Sequence, residues 1–180
     1  MKKPVVFLDR DGVLTVEKGY ILPLEEVECY PFVKKCIEEI HQKGYLAIVV
    51  TNQGAVARGY FTEEKLIYLH EQIKREINVD AIYYCPHHKE GKVEKYAVDC
   101  NCRKPKLGMI EQACNQFEID MENSYMVGDR ASDIELGKNA GVKTILVESG
   151  YGSKKMEYDI QADFTVEDLR EAVKIIENRQ

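Results

Sequence analysis

The sequence predicts an α/β fold, a three-layer sandwich with helices on both faces of a mostly parallel central sheet. Two observations carry that expectation. Short apolar runs of strand length alternate with stretches whose apolar residues recur at helical spacing. The length of 180 residues and an apolar content of 44% beside 31% charged residues suit one globular unit, 1–180, with a single core. No internal repeat, low-complexity tract or linker interrupts the alternation.

Residues 5–8 are β-branched and apolar, a buried strand. Over 32–43, Val33, Cys36, Ile37 and Ile40 fall at helical spacing, with Pro31 suited to the start and Gly44 to the stop. Residues 46–50 form a second buried strand. Thr62-Glu63-Glu64-Lys65 resembles a capped helix start, and Leu66, Leu69, Ile73 and Ile77 continue its stripe. Residues 81–84 are a third strand. Ile110, Ala113 and Phe117 place a helix over 106–117, before a fourth strand over 124–127. A helix over 134–140 closes at Gly141, and 144–147 is a fifth strand. Residues 162–165 add a short sixth strand before a last helix over 166–178. Two stretches stay irregular, 9–30 and 85–105. Long loops in a compact domain are commonly functional.

Composition excludes several functions. Asp plus Glu is 31 against 25 Lys plus Arg, a net charge of −6. Non-specific binding to nucleic acid or to an acidic membrane is a poor fit to that balance. The longest aliphatic run, 46–50, is far short of the ~20 residues that span a bilayer. The apolar run after Met1-Lys2-Lys3-Pro4 is too short for a signal-peptide core. The expectation is a cytoplasmic protein, acting as a monomer on a small molecule.

In an open parallel sheet, ligands bind beyond the carboxyl ends of the strands. Asp9-Arg10-Asp11-Gly12 follows the first strand and Thr51-Asn52-Gln53-Gly54 the second. Gly128-Asp129 follows the fourth, with Asp133 four residues on, and Lys104 lies in the loop after the third. Taken singly, each is a common turn. Together they would meet at one sheet edge. Three carboxylates at one point repel one another and need a cation, and their hard oxygens suit magnesium. A carboxylate beside magnesium can attack phosphorus and form an aspartyl-phosphate. Asp9 is placed for that. Asp11 can protonate the leaving alkoxide and then deprotonate water. Thr51 and Lys104 offer a hydroxyl and a positive charge to phosphoryl oxygens. Asp129 completes the metal site, and Asp133 orients it from behind.

This pattern resembles the haloacid dehalogenase (HAD) superfamily of phosphatases, over roughly residues 5–147. The resemblance implies a HAD-like Rossmannoid sandwich with the nucleophile and acid/base at Asp9 and Asp11, and with Thr51, Lys104, Asp129 and Asp133 in the later motifs. An acid/base Asp at the second position marks the phosphatases within the superfamily. The backbone carbonyl of Asp11 is then a further magnesium ligand.

Six cysteines are present, Cys29, Cys36, Cys85, Cys100, Cys102 and Cys114. Cys85-Pro86-His87 and Cys100-Asn101-Cys102 together offer three thiolates and an imidazole, the shell of a closed structural zinc site. His88 is the alternative imidazole; His87 is favoured because its spacing from Cys85 mirrors the other pair. Zinc would pin the loop 85–105 and set Arg103 and Lys104 at the rim. Cys29, Cys36 and Cys114 read as packing residues.

Cys-Pro-His-His, Cys-x-Cys-Arg-Lys-Pro and Asp-Arg-Asp-Gly are similar to the zinc-bearing branch of the superfamily, with a minimal cap. That branch holds heptose 1,7-bisphosphate phosphatases and histidinol-phosphate phosphatases. Thr51-Asn52-Gln53 running to Ala57-Arg58-Gly59-Tyr60-Phe61, and Tyr83-Tyr84-Cys85-Pro86-His87-His88, resemble the heptose enzymes. Gly54-Ala55 and Arg130 depart from them, and Lys106 is more like the histidinol branch. The resemblance implies removal of the 7-phosphate of a heptose bisphosphate, a precursor of surface glycans. It places Glu17, Lys18, Gly19 and Tyr20 against the sugar, with Thr51, Asn52, Gln53, Gly54, Arg58 and Lys104 around the substrate. Arg103 would take the second phosphate, and Arg130 would contact substrate. Histidinol-phosphate hydrolysis is the alternative. A non-catalytic phosphosugar-binding protein is a third reading, against which the Asp9 and Asp11 pair argues.

Overall fold

The computed structural model describes residues 2–19, 24–151 and 160–178. Within them β1 (Val5–Leu8), β2 (Leu46–Asn52), β3 (Ala81–Cys85), β4 (Tyr125–Gly128), β5 (Lys143–Val147) and β6 (Phe164–Val166) form one sheet. The helices are α1 (Val33–Gln42), α2 (Glu63–Ile77), α3 (Gly108–Gln116), α4 (Ala131–Ala140) and α5 (Leu169–Ile175). The strand order is β3-β2-β1-β4-β5-β6, with every pairing parallel.

Alternation along each strand divides the core between two faces. Val6 and Leu8 of β1, with Ala47 and Val49 of β2, pack on α1, α2 and α5 through Ile37, Ile40, Ile73, Leu169 and Val173. Val5 and Phe7, with Ile48 and Val50, pack on α3 and α4 through Met109, Ile110, Ala113 and Leu136. The result is the expected three-layer arrangement.

The order of strands creates the site. β1 leads outward to β2 and β3, and the chain then returns to set β4 on the other flank of β1. Loops leaving β1 and β4 therefore diverge and open a crevice at their carboxyl ends.

Several boundaries differ from the sequence-based expectation. β2 runs two residues beyond Val50, because β3 goes on pairing with it as Thr51↔Tyr84 and Asn52↔Cys85. Thr51 and Asn52 are thus strand residues, not loop. α3 begins at Gly108 rather than at Lys106, since Lys106 and Gly108 donate backbone hydrogen bonds to the loop carbonyls of Arg103 and Asn101. α4 starts at Ala131, three residues before Ile134, because the Asp133 carboxylate accepts the Arg130 N–H at 3.0 Å and nucleates the first turn. Val166 ends β6 instead of opening the last helix, whose cap is Asp168, accepting the Arg170 N–H at 2.8 Å.

α4 approaches the sheet closely through Gly137. A Cβ at that position would lie 2.5 Å from Thr144 Cγ2 and 2.9 Å from Met126 Cβ. Neither neighbour is the far end of a flexible side chain. Gly137→Ala should therefore lower stability by about 1–3 kcal/mol, even though alanine favours helix. Thermal unfolding of the variant reads this as a drop in Tm; an unchanged or raised Tm would show that the helix can lift off without cost.

Candidate active site

The carboxyl ends of β1 and β4 bring Asp9, Asp129 and Asp133 together, with Lys104 as the buried cation among them, and Thr51 stands at the end of β2. Asp9 continues β1, its N–H still donating to Val127 O at 3.0 Å. Lys104 Nζ lies 2.9 Å from Asp9 Oδ1 and 2.7 Å from Asp133 Oδ1, and donates to Val50 O at 2.9 Å. The contact with Asp133 Oδ1 is an ion pair rather than a well-directed hydrogen bond. Lys104 is 4% exposed and Asp133 wholly buried. Burial works against the charged ammonium, but Asp133 and Asp9 override it and hold the Lys104 pKa above its ordinary value. The position of Lys104 is set by Asn52, whose Oδ1 accepts Lys104 N–H at 2.9 Å and whose Nδ2 donates to Lys104 O at 3.3 Å.

Asp9 takes its contacts on one oxygen. The Arg10 N–H donates to Oδ1 at 2.7 Å, and Lys104 approaches the same atom. Oδ2 takes no hydrogen bond from the described residues, and Asp9 lines the cleft. Burial first, then Asp133, raise the Asp9 pKa, with Lys104 opposing. Asp129 is raised in the same way, by burial and then by Asp9.

Asp129 is held from one side only. Tyr151 N–H donates to its Oδ2 at 2.7 Å, while the buried Oδ1 has no hydrogen-bond partner among the described residues. Gly12, at φ +83°, lies so close that a Cβ there would collide with this carboxylate. Asp9, Asp129 and Asp133 offer oxygens all within 4.8 Å of one another. Lys104 pairs with two of the three buried carboxylates, and Asp129 Oδ1 is left without a hydrogen-bond partner among the described residues. That charge deficit and hard donor set fit a magnesium ion.

Asp11 sits in the opposite environment. Arg10 grips it side-on, Nε to Oδ1 and a terminal nitrogen to Oδ2, both at 2.9 Å. Gln53 Nε2 donates to Oδ2 and the Thr15 hydroxyl to Oδ1, each at 2.9 Å. Burial would raise its pKa, but the guanidinium and these donors outweigh it and hold the carboxyl at about 2. Gln53 also donates to the Thr51 hydroxyl at 2.9 Å and accepts from Arg10 at 3.1 Å.

A cleft of about 200 Å³ opens over Asp9 and Asp11, lined also by Glu17, Gln53, Arg103 and Arg130. Lys18, Gly19, Asn52, Gly54 and Lys104 complete the expected residues on its wall. Tyr20 lies outside the described residues. Thr51 is wholly buried beneath Gln53 and does not line the cleft. Arg58 is not on its wall either; its NH2 lies 3.3 Å from His88 Nε2. Arg103 donates to His87 O at 3.2 Å, and Arg130 crosses the mouth to Glu17 at 3.4 Å while its guanidinium lies over the Tyr151 ring at 4.0 Å.

The loop after β3 gathers Cys85, His87, Cys100 and Cys102. Cys85 and Cys102 sulfurs each lie 3.5 Å from Cys100 Sγ, and His87 Nδ1 lies 3.3 Å from Cys102 Sγ. Thiolates bound at ~2.3 Å in a tetrahedron stand about 3.7 Å apart, so the set fits zinc. His88 points elsewhere, to Arg58 and to the Glu90 N–H.

Three participants escaped sequence reasoning. Arg10 was visible only as the middle residue of Asp-Arg-Asp. His70 occupies a buried position of the α2 stripe between Leu66 and Ile73. Tyr151 lies beyond β5, far in sequence from the residues it serves. A charged residue between two carboxylates and a histidine in an apolar stripe were signals that both needed buried partners.

A family model described as HAD-hydrolase-like matches residues 101–172. Over 185 residues the chain is 42% identical to the D-glycero-beta-D-manno-heptose-1,7-bisphosphate 7-phosphatase of Pasteurella multocida (strain Pm70), covering 97% of each. The enzyme of the same name from Escherichia coli (strain K12) is 38% identical, covering 98% of this chain and 95% of its own. A crystal structure of D,D-heptose 1,7-bisphosphate phosphatase from B. bronchiseptica, complexed with magnesium and phosphate, superposes with a TM-score of 0.81 at 28% identity, covering 97% of each chain.

The buried environment of His70 has a pH consequence. Burial, and then Arg10, push its pKa from 6.5 down to about 3. The imidazole is neutral in the folded chain, whereas the unfolded chain binds a proton below the ordinary value. His70 thus adds no pH slope above pH 6.5, and stability is lost as pH falls from there towards about 3. Between about pH 7 and about pH 5 the protein should lose ~2 kcal/mol more than a His70→Gln variant. Urea unfolding at the two pH values checks it, and parallel losses in both proteins would contradict it.

Proposed function

The chain belongs to the family of D-glycero-beta-D-manno-heptose-1,7-bisphosphate 7-phosphatases within the HAD-like hydrolases, and we propose that it removes the 7-phosphate of that heptose bisphosphate. The observation that carries the reading is the contrast between Asp9 and Asp11. Asp9 leaves one oxygen without a hydrogen bond, and Asp11 stands two residues away in the same cleft, its carboxylate fixed by Arg10, Gln53 and Thr15.

In the first step an oxygen of Asp9 attacks phosphorus. The Asp9 O–P bond forms as the bond from phosphorus to the sugar oxygen breaks, and Asp11 delivers a proton to that oxygen. The incoming phosphate carries negative charge to Asp11, which raises its proton affinity from the low value of the free site. In the second step water attacks the aspartyl-phosphate, giving its proton to Asp11 and releasing phosphate from Asp9. Lys104 holds the transferring group by charge and Asp133 fixes Lys104, while the buried Thr51 hydroxyl accepts a hydrogen bond from Gln53, which also donates to Asp11. Asp9, Asp129 and the Asp11 carbonyl would hold magnesium, which when bound supplies positive charge to the carboxylates and the phosphoryl oxygens.

Cys85, His87, Cys100 and Cys102 form a closed zinc site in this reading, with no open position for chemistry. It fixes the loop that carries Arg103 and Lys104. Arg103 takes the remote phosphate by its planar fork, and Glu17, Lys18, Gly19, Asn52, Gln53, Gly54 and Arg130 surround the sugar. Arg58 acts from behind this wall through His88. In this reading the enzyme is a monomer of one domain. Free thiols and metal-type cysteine pairs suit the cytoplasm.

The deciding experiment is turnover of the purified protein on the heptose bisphosphate and on histidinol phosphate. The bisphosphate should be hydrolysed faster, and the reverse ranking would move the assignment to the histidinol branch. Arg103→Ala should lose roughly 10²-fold in kcat/KM on the bisphosphate and far less on a small monophosphate, as one charge-assisted phosphate contact is removed.

Elemental analysis of protein purified without chelator should find about one zinc per chain, because four ligands make one closed site. Its absence would refute the zinc assignment. Mild chelation should stop turnover, and magnesium should restore it.

A further inference from the structure

We propose that His70 is a positioning residue for the phosphatase reaction, fixing the Asp11 carboxylate through the Arg10 guanidinium; this rests on Asp11 being the acid and base of the proposed mechanism. His70 is on α2, is 4% exposed and lines no part of the cleft. Its neighbours along the buried side of the helix are Leu66, Leu69, Ile73 and Ile77. An aliphatic residue would pack in such a row without polar cost.

The imidazole is there for Arg10. Its Nε2 lies 3.0 Å from an Arg10 terminal nitrogen. A guanidinium only donates and does not lose its proton, so Nε2 is the acceptor and the ring proton sits on Nδ1. Nδ1 is buried with no partner among the described residues. A buried unsatisfied N–H costs stability. The fold accepts that cost on one ring nitrogen in exchange for an acceptor on the other.

That acceptor completes the coordination of Arg10. One terminal nitrogen faces His70, the other faces Asp11 and Gln53, and Nε faces Asp11. Four donors of a planar fork are thus fixed, and the plane of the fork fixes the plane of the Asp11 carboxylate. With His70 removed, the outer edge of the guanidinium has no acceptor from α2. The fork can then turn, and Asp11 turns with it.

The consequence is specific to proton transfer. Asp11 makes no bond to phosphorus; it gives a proton to the leaving oxygen and later takes one from water. An aryl phosphate separates these tasks. Its aryl oxide leaves with the bonding pair as the Asp9 O–P bond forms, and needs no proton, being a weak base. Hydrolysis of the aspartyl-phosphate still requires water to give a proton to Asp11 as the Asp9 O–P bond breaks. A misplaced Asp11 therefore slows the second step and spares the first.

The test is stopped-flow release of 4-nitrophenolate from 4-nitrophenyl phosphate, with magnesium present. In His70→Leu the ratio of burst rate to steady-state rate should rise about tenfold over wild type, the size expected for one lost orienting contact. The burst amplitude should approach one phenolate per chain. His70→Gln, whose side-chain oxygen can reach the place of Nε2, should return the ratio to within about twofold of wild type. Arg10→Lys, which keeps the charge and breaks the fork, should raise the ratio like His70→Leu, and serves if His70→Leu folds poorly. Asp11→Asn is the control for the underlying mechanism and should show the same rise. A rise in Asp11→Asn with none in His70→Leu or Arg10→Lys overturns the role of His70 alone. So does a loss in which burst and steady state fall together, or a His70→Gln as impaired as His70→Leu. No rise in Asp11→Asn removes the acid/base reading of Asp11, and the role of His70 with it.

Discussion

Everything at the active end of this sheet depends on one buried ammonium. Lys104 Nζ is ringed by Asp9, Asp133 and the Val50 carbonyl. Without it, three carboxylates would face one another in a site that water hardly reaches, an arrangement a fold cannot hold in ionised form. With it, the cluster still carries an excess of negative charge. That residual deficit is what makes the site receptive to a divalent cation and to a phosphate arriving with it. Stability and function therefore pull in opposite directions at this point, as they do at strained active sites generally.

The placement of Lys104 links two parts of the molecule that look unrelated in sequence. It belongs to the loop after β3, which begins at the Cys85–His87 pair and passes through Cys100 and Cys102. Asn52, at the end of β2, clasps the Lys104 backbone through both its N–H and its carbonyl. β2 is longer than its apolar run suggests because β3 continues to pair with it, and that extra length is what carries Asn52 to Lys104. A metal-type cysteine cluster on one side and a strand extension on the other thus converge on the same ammonium.

How much of this was legible in the sequence follows from the range of each interaction. The strands, and the acidic residues immediately after them, were readable because burial and strand ends are local signals. Cys85, His87, Cys100 and Cys102 were readable because ligand spacing is local too. What escaped were contacts between elements. Arg10 stood in the sequence only as the residue between two carboxylates, yet it is 4% exposed and tied to α2. Thr51 and Arg58 were placed against substrate by resemblance, whereas Thr51 lies under Gln53 and Arg58 behind the cleft wall. The start of α4 was missed because its nucleating carboxylate, Asp133, also serves Lys104, and a residue with two partners obscures the pattern of either.

Asp9 and Asp11 show why such contacts decide chemistry. They are two residues apart and share one strand end, so sequence position gives them nearly the same surroundings. Burial acts to raise the pKa of both. The difference lies in what each carboxylate meets. Asp9 meets other carboxylates and a single shared ammonium, and moves up. Asp11 meets a side-on guanidinium, an amide and a hydroxyl, and moves down. Because successive side chains of an extended segment point to opposite sides, Arg10 between them could have faced away from both. Its guanidinium instead folds back on Asp11 alone, and the imidazole of α2 closes the fork from outside. Two identical side chains are thereby given opposite electrostatic surroundings, Asp9 by its neighbouring carboxylates and Asp11 by Arg10, Gln53 and Thr15.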